Sequence, residues 1–298
     1  MKKIAALTLV IAALAGDTAS AQFYVRAGLG YAAPAAGQSM SGEAYAYSGS
    51  MSASNDFSIK NISFSSGLQG LVSAGYISRS HIGAQLDILA GLISPQYTYT
   101  QYSVPVNYGG SSILSDVTLK HQANHPIVIS PTVVIESGGK LLNLYCRVGP
   151  ALPVNTKITQ DRVYKNLPGT GAITTTDIQW NISSSFSLGY TGAAGVNYKL
   201  NDRMSIWGEV SILSLSVSVK QEDLSAYIRN GQSYSLSSIS GIKTFYYSKT
   251  GIADTNYIHN PTYSQPFSNV SFNIGARFNL SGSKSHHSAA RRDDEFQK

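Results

Sequence analysis

Residues 270–280 alternate strictly: Val270, Phe272, Ile274, Ala276, Phe278 and Leu280 are apolar, and Ser271, Asn273, Gly275, Arg277 and Asn279 lie between them. A period of two produces two chemically different faces only in a β-strand. The same period marks seven earlier segments. Residues 22–33 set Phe23, Val25, Leu29 and Tyr31 against Tyr24, Arg26, Gly28 and Gly30. Residues 81–93 set Ile82, Leu86 and Ile88 against Gly83, Gln85 and Asp87, and residues 141–154 set Leu142, Leu144, Cys146 and Val148 against Asn143, Tyr145, Arg147 and Gly149. Residues 67–77 are less regular, because Leu71 and Ile77 share the face of Gln69 and Ser73. In residues 127–136, Pro131 lacks a ladder donor, which predicts a bulge or bend there. The sixth strand carries Phe186, Leu188, Tyr190, Val196 and Tyr198, and its pattern runs back through Trp180 and Ile178, so it is predicted to project beyond the others. The seventh sets Met204, Ile206, Val210 and Ile212 against Ser205, Trp207, Glu209 and Ser211. Past Ile212 the apolar set jumps to Leu213, Leu215, Val217 and Val219, a parity flip of the kind a β-bulge produces.

The connections between these strands alternate in length. Tight turns at 78–80, 137–140 and 201–203 join strands two to three, four to five and six to seven; the other four connections cover 34–66, 94–124, 155–181 and 220–266. That rule is the signature of an up-and-down barrel with short turns at one end and long loops at the other, both termini lying on the turn side. Phe23, Tyr76, Tyr198 and Phe278 fall on apolar faces near that side, where an interfacial girdle of aromatic residues belongs. The predicted fold is all-β, an eight-stranded antiparallel up-and-down transmembrane β-barrel.

Two features outside the strands support a membrane setting. Lys2 and Lys3 precede an apolar run from Ile4 to Ala15 and a small-residue site at Ala19-Ser20-Ala21, the three parts of a secretory signal peptide. Residues 1–21 are therefore expected to be removed, leaving Gln22 first, and with no cysteine there a lipid anchor is not expected. Taking away Lys2, Lys3 and Asp17 leaves 20 basic and 15 acidic residues. Charged residues make up 13% of the chain, against about 25% in soluble domains, and no later run reaches the length of a membrane helix. The single Cys146 has no partner for a disulfide and reads as a small apolar residue on a strand.

Asn273 to Leu280 runs polar, any, Gly, any, any, aromatic, any, apolar, and resembles the closing-strand signal of outer-membrane barrels, with Asn273, Gly275, Phe278 and Leu280 as its fixed points. With the signal peptide, the eight strands and the Gly-rich first strand Arg26-Ala-Gly-Leu-Gly30, the chain resembles the outer-membrane protein beta-barrel domain family, the small OmpA-type and OmpX-type barrels. The resemblance spans residues 22–280, with longer loops than the smallest members. It implies an integral protein of the bacterial outer membrane, contacts with outer-membrane lipid and with the barrel-assembly machinery, and a structural or cell-surface interaction role. A small gated channel, an outer-membrane enzyme and an accessory barrel of a secretion machine are the alternatives. Residues 281–298 are polar, carry His286-His287 and Asp293-Asp294-Glu295, and are expected to form a disordered periplasmic tail with no peptidoglycan-binding domain.

Candidate chemistry is sparse. His81, His121, His125 and His259, with Asp116 and Asp254 as acidic partners, sit in no recognisable catalytic motif, so no enzyme, metal, cofactor or nucleic-acid site is expected. Eight strands enclose just enough room for side chains, which argues for a filled lumen. Asp87, Arg147 and Glu209 each stand six residues beyond the turn side and are predicted to pair across the interior, with Arg26 and Arg277 lower down requiring partners of their own. Of 19 tyrosines, 13 fall in the four long connections among Ser, Gly, Asn and Thr. Tyr246, Tyr247, Tyr257 and Tyr263 in the last of them represent a recognition surface for an extracellular protein or glycan, because rigid amphipathic rings on small polar neighbours bind at low entropy cost. The competing expectation is that these rings pack as cross-strand pairs.

Overall fold

The computed structural model describes residues 22–35, 38–45, 56–108, 111–166, 174–241, 243–249 and 259–280. The expected signal peptide and the tail lie outside them. Eight strands close into an antiparallel barrel: β1 (Gln22–Pro34), β2 (Gly67–Ile77), β3 (Ile82–Ile93), β4 (Ile127–Glu136), β5 (Leu142–Asn155), β6 (Gly189–Lys199), β7 (Met204–Ser214) and β8 (Asn269–Asn279). Each pairs with its neighbours in sequence, and β8 returns to β1 from Tyr24↔Asn279 to Pro34↔Asn269. The short turns have local causes. The Asn201 side chain accepts the amides of Arg203 and Met204, both at 2.9 Å, and Gly138 adopts φ +73°, a conformation that suits a residue without Cβ.

Outward along the barrel the apolar residues stay uncovered. Leu29, Val72, Leu144 and Phe272 stand mid-strand and remain 55%, 58%, 58% and 59% exposed. A water-soluble sandwich buries such a face; a continuous apolar belt around a closed wall matches a hydrocarbon surround. Cys146 belongs to this outward face. At Pro131 the expected irregularity takes the form of a lapse in the ladder. β4 and β5 pair at Ile129↔Leu152 and again at Val133↔Val148, and the intervening stretch holds Pro131 opposite Gly149 and Pro150.

The four long connections, expected as loops, are largely strands. Eleven of them form a second sheet, with the order His259–Pro261, Thr244–Ser248, Ser216–Arg229, Thr175–Ser184, Ile158–Asn166, Ser111–Ala123, Gln96–Tyr108, Gln38–Tyr45 and Asp56–Asn61, while Gln232–Ser233 and Ser264–Pro266 pair onto Ser216–Arg229. The hairpins continue the wall beyond the belt instead of draping over it.

At the junction the apolar side changes from outside to inside, and two strands manage this differently. Along β7 and its continuation the odd residues face inward throughout: Trp207 and Glu209 below, then Leu213, Leu215, Val217 and Val219, all at most 4% exposed. The parity flip expected at Leu213 is therefore not a bulge. The backbone carries on and the polarity of its two faces is exchanged; the irregularity comes later, at Lys220, between Ser184↔Val219 and Ser183↔Gln221. On the sixth strand the sequence keeps its even apolar register and the backbone breaks. Trp180 and Ile182 are buried, Phe186 and Leu188 point out at 82% and 54% exposure, and residues 185–188 leave the ladder between them. The inward residues above the break form one core with Ile62, Phe64, Ala123, Ile158 and Phe267. Phe64 packs on Phe267 at 5.9 Å and edge-on to Tyr97 at 5.7 Å, so the segment of residues 62–66 adds Ile62 and Phe64 to this core.

Candidate functional site: the filled lumen and the sheet above it

The inner wall of the barrel is glycine beneath aromatic rings. A Cβ on Gly275 would lie 2.6 Å from Gly28 Cα and 2.7 Å from Trp207 Cζ2, and one on Gly28 would lie 2.7 Å from Trp207 Cη2. Gly28 and Gly275 face each other across the β1–β8 seam, so this pair forms the slot that the Trp207 indole fills. The indole Nε1 donates to the Ala276 carbonyl at 3.1 Å, and the Arg26 guanidinium stacks 3.9 Å over the ring. Gly195 makes similar room for the Tyr145 ring.

On this lining sits a buried charge network. Arg147 donates through Nη1 to Asp87 Oδ2 at 2.6 Å and through Nη2 to Glu209 Oε1 at 2.6 Å. Glu209 also accepts Arg26 Nη2 and the Tyr145 hydroxyl, both at 2.7 Å. Asp87 accepts Ser73 Oγ at 2.5 Å, Thr132 Oγ1 at 3.3 Å and the Gln85 amide. Two cations and two anions thus cancel in a layer where every member is at most 5% exposed. The structure brings Arg26 into the set with Asp87, Arg147 and Glu209. Arg277 stands apart: its partner is Glu136 and its guanidinium stacks 3.8 Å over Tyr24. Glu136 was missed as a lumen residue because it closes the weakly patterned fourth strand; its parity with Val134, Thr132 and Ser130, all inward, was the available signal.

Above this layer Gln69 donates to Asn273 Oδ1 at 2.7 Å, and Asn273 donates to Ser211 and Ser271, both at 3.1 Å. Asn273 of the closing-strand pattern is therefore a lumen residue, whereas Phe278 and Leu280 point outward. Between the two layers a cavity of about 20 Å³ remains, room for roughly one water. The main lumen space lies below, a vestibule of about 430 Å³ at the short-turn end.

In the upper sheet Tyr247 and Tyr263 pack edge to face at 5.4 Å, and the Tyr263 hydroxyl donates to Glu222 Oε1 at 2.8 Å. Burial and the adjacent carboxylate push both phenols up, Tyr247 to about 12. Tyr246 pairs with Gln221 across strands, and Tyr257 lies outside the described residues. These rings hold the sheet together. Tyr263 nevertheless stays 40% exposed, and at the hairpin tip of residues 229–240 Tyr234 is 45% exposed among Ser, Gln and Asn and meets Tyr227 edge-on at 6.0 Å.

The histidines do not converge among the described residues. His125 contacts the Gly91 carbonyl at 3.3 Å, and His121 meets Gln160, whose Oε1 accepts Arg162 Nε at 2.8 Å. Burial, helped by the Arg162 charge, lowers His121 to about 4. Between about pH 6.5 and 4 the unfolded chain binds the extra proton, so the upper sheet is stable above this window and loses stability as pH falls through it. The expected loss is on the order of 2 kcal/mol once partial exposure is discounted. Hydrogen exchange of the strands Ser111–Ala123 and Ile158–Asn166 across that range measures it; in His121→Gln the pH dependence should flatten, and a slope unchanged in the variant rules His121 out as its source.

No family model matches the chain, and no curated protein does. Among solved structures it is similar to the outer membrane protein OprG from Pseudomonas aeruginosa, with 11% identity and a TM-score of 0.40 over 88% of this chain and 97% of that one. It is also similar to a major outer membrane protein from Thermus thermophilus, with 12% identity and a TM-score of 0.37 over 88% of this chain and all of the other.

Proposed function

We propose that the chain is an integral outer-membrane barrel with a filled lumen, of the small OmpX-like kind, which carries a β-sheet platform outside the cell and works by surface interaction. The observation that supports this most directly is the change of sides: apolar residues face out along eight closed strands and in along the sheet above them. Such a molecule is at rest with its lower half in lipid and its upper half in water. The short turns then lie in the periplasm. The barrel-assembly machinery is the partner on the way in, through the strand from Asn273 to Leu280.

The sealed charge layer and the small cavity above it favour an interaction protein over a gated channel. The platform's partner is an extracellular protein or glycan held by stacking on exposed tyrosine, with Tyr234 at its centre. Tyr234→Ser should abolish binding of cells to immobilised host protein or glycan, at least about thirtyfold if the ring is a binding hot spot, with unchanged thermal stability. Tyr263→Phe, which removes only the bond to Glu222, should lower stability and leave adhesion alone. Adhesion that survives Tyr234→Ser in a folded protein sinks this reading.

A further inference from the structure

We infer that the vestibule at the short-turn end is a binding site for a small polyhydroxylated carboxylate, of the size and chemistry of a sugar acid. Its lining side chains are mostly polar; Ile77 is the one large apolar side chain among them. At about 430 Å³ it has the volume of a small-ligand pocket.

Three buried polar atoms of residues that line it have no partner among the described residues: Arg277 Nε, Asn197 Oδ1 and Asn279 Oδ1. Arg277 is 6% and Asn197 5% exposed, and buried polar groups of native proteins are nearly always satisfied. The neighbouring carboxylate does not answer for Arg277 Nε. Glu136 is committed on both oxygens, Oε1 to Arg277 Nη1 and Oε2 to Asn143 Nδ2 at 2.6 Å. Lys199 is paired with Asp202 at 2.8 Å, while among the described residues Arg79 and Lys140 at the rim have no ion pair. The mouth is therefore net positive, which favours an anion.

The orphan donor is a guanidinium N–H, the natural partner of a carboxylate oxygen. Both orphan acceptors are amide oxygens, which need O–H or N–H donors from the ligand. Hydrogenphosphate also carries O–H donors but is far smaller than the vestibule, and a neutral sugar can accept from Nε but leaves the positive mouth uncompensated. A carboxylate on a chain or ring of hydroxyls satisfies all three.

The full mature chain, folded in detergent without anionic buffer, is titrated with D-gluconate and D-galacturonate by calorimetry, with glucose, acetate and phosphate as comparison ligands. Saturable binding of at least one sugar acid is expected, at least about tenfold tighter than each comparison ligand. Arg277→Lys keeps the charge and removes Nε; Asn197→Ala removes one acceptor. Each should weaken binding about tenfold. If Arg277→Lys does not regain the gel mobility of the folded barrel, Asn197→Ala alone decides. No saturation by about 50 mM, acetate or phosphate binding as well as the sugar acids, or affinity unchanged in folded Asn197→Ala overturns the assignment and leaves a vestibule filled by solvent.

Discussion

Arg147→Met is expected to lower the barrel's unfolding free energy by about 3–5 kcal/mol, the usual result of removing one member of a buried ion network. Its partners are left unequally. Glu209 keeps Arg26 at 2.7 Å and the Tyr145 hydroxyl, but Asp87 keeps only Ser73, Gln85 and Thr132, all neutral. Adding Asp87→Asn should therefore restore more stability than adding Glu209→Gln, which would strand Arg26 as well. Urea unfolding in lipid vesicles gives the comparison as a double-mutant cycle. Coupling below about 0.5 kcal/mol for both pairs would mean that the four groups do not act as a network.

The second large effect lies at the seam. Gly275→Val with Phe278→Ser should leave exported protein that is not inserted and that periplasmic proteases degrade. The two changes act on different faces. Phe278 is outward, on the apolar face of the barrel, while any side chain on Gly275 collides with Gly28 and the Trp207 indole that carries Arg26. Overpacking of this kind costs about 1–3 kcal/mol before any loss of the charge layer above it. Gly275→Val alone should insert poorly; pairing it with Trp207→Leu should recover part of the folded gel mobility if the slot is the reason. Failure to recover leaves the Ala27 carbonyl, which lies nearer than the indole to a Cβ on Gly275, as the obstacle.

Much of the barrel was legible because lipid outside and side chains inside impose a period of two that nothing else in the chain imitates. Strand bounds read from alternation at β2 and β4 coincide with the observed ones. The layer of Asp87, Arg147 and Glu209 followed from counting residues up from each turn, since closed antiparallel strands keep depth in register. Arg277's partner was legible only through the parity of Glu136, a weak signal at the end of a strand whose pattern Pro131 interrupts. The upper sheet was misread as loops for a compositional reason. Its strands are rich in Ser, Thr, Gln and Tyr, and their apolar inner face is short, so alternation over residues 96–108 or 216–229 is diluted. The packing role of Tyr263 was not legible, because sequence gives no hint that its hydroxyl meets Glu222, buried at 2% exposure.

The exchange of apolar sides at the rim has a spectroscopic consequence. The chain has two tryptophans, and the exchange places one in each regime. Trp207 lies in the lumen between two glycines and a guanidinium, and Trp180 lies in the upper sheet against Phe245 at 5.2 Å. The lower half is held by a hydrocarbon surround and the upper by water's exclusion from its core, so denaturants act on the two through different terms. A single midpoint for the whole molecule is then an average over two events. Each indole is a built-in address for one of them, and variants keeping only Trp207 or only Trp180 let the two halves be followed separately in one and the same chain.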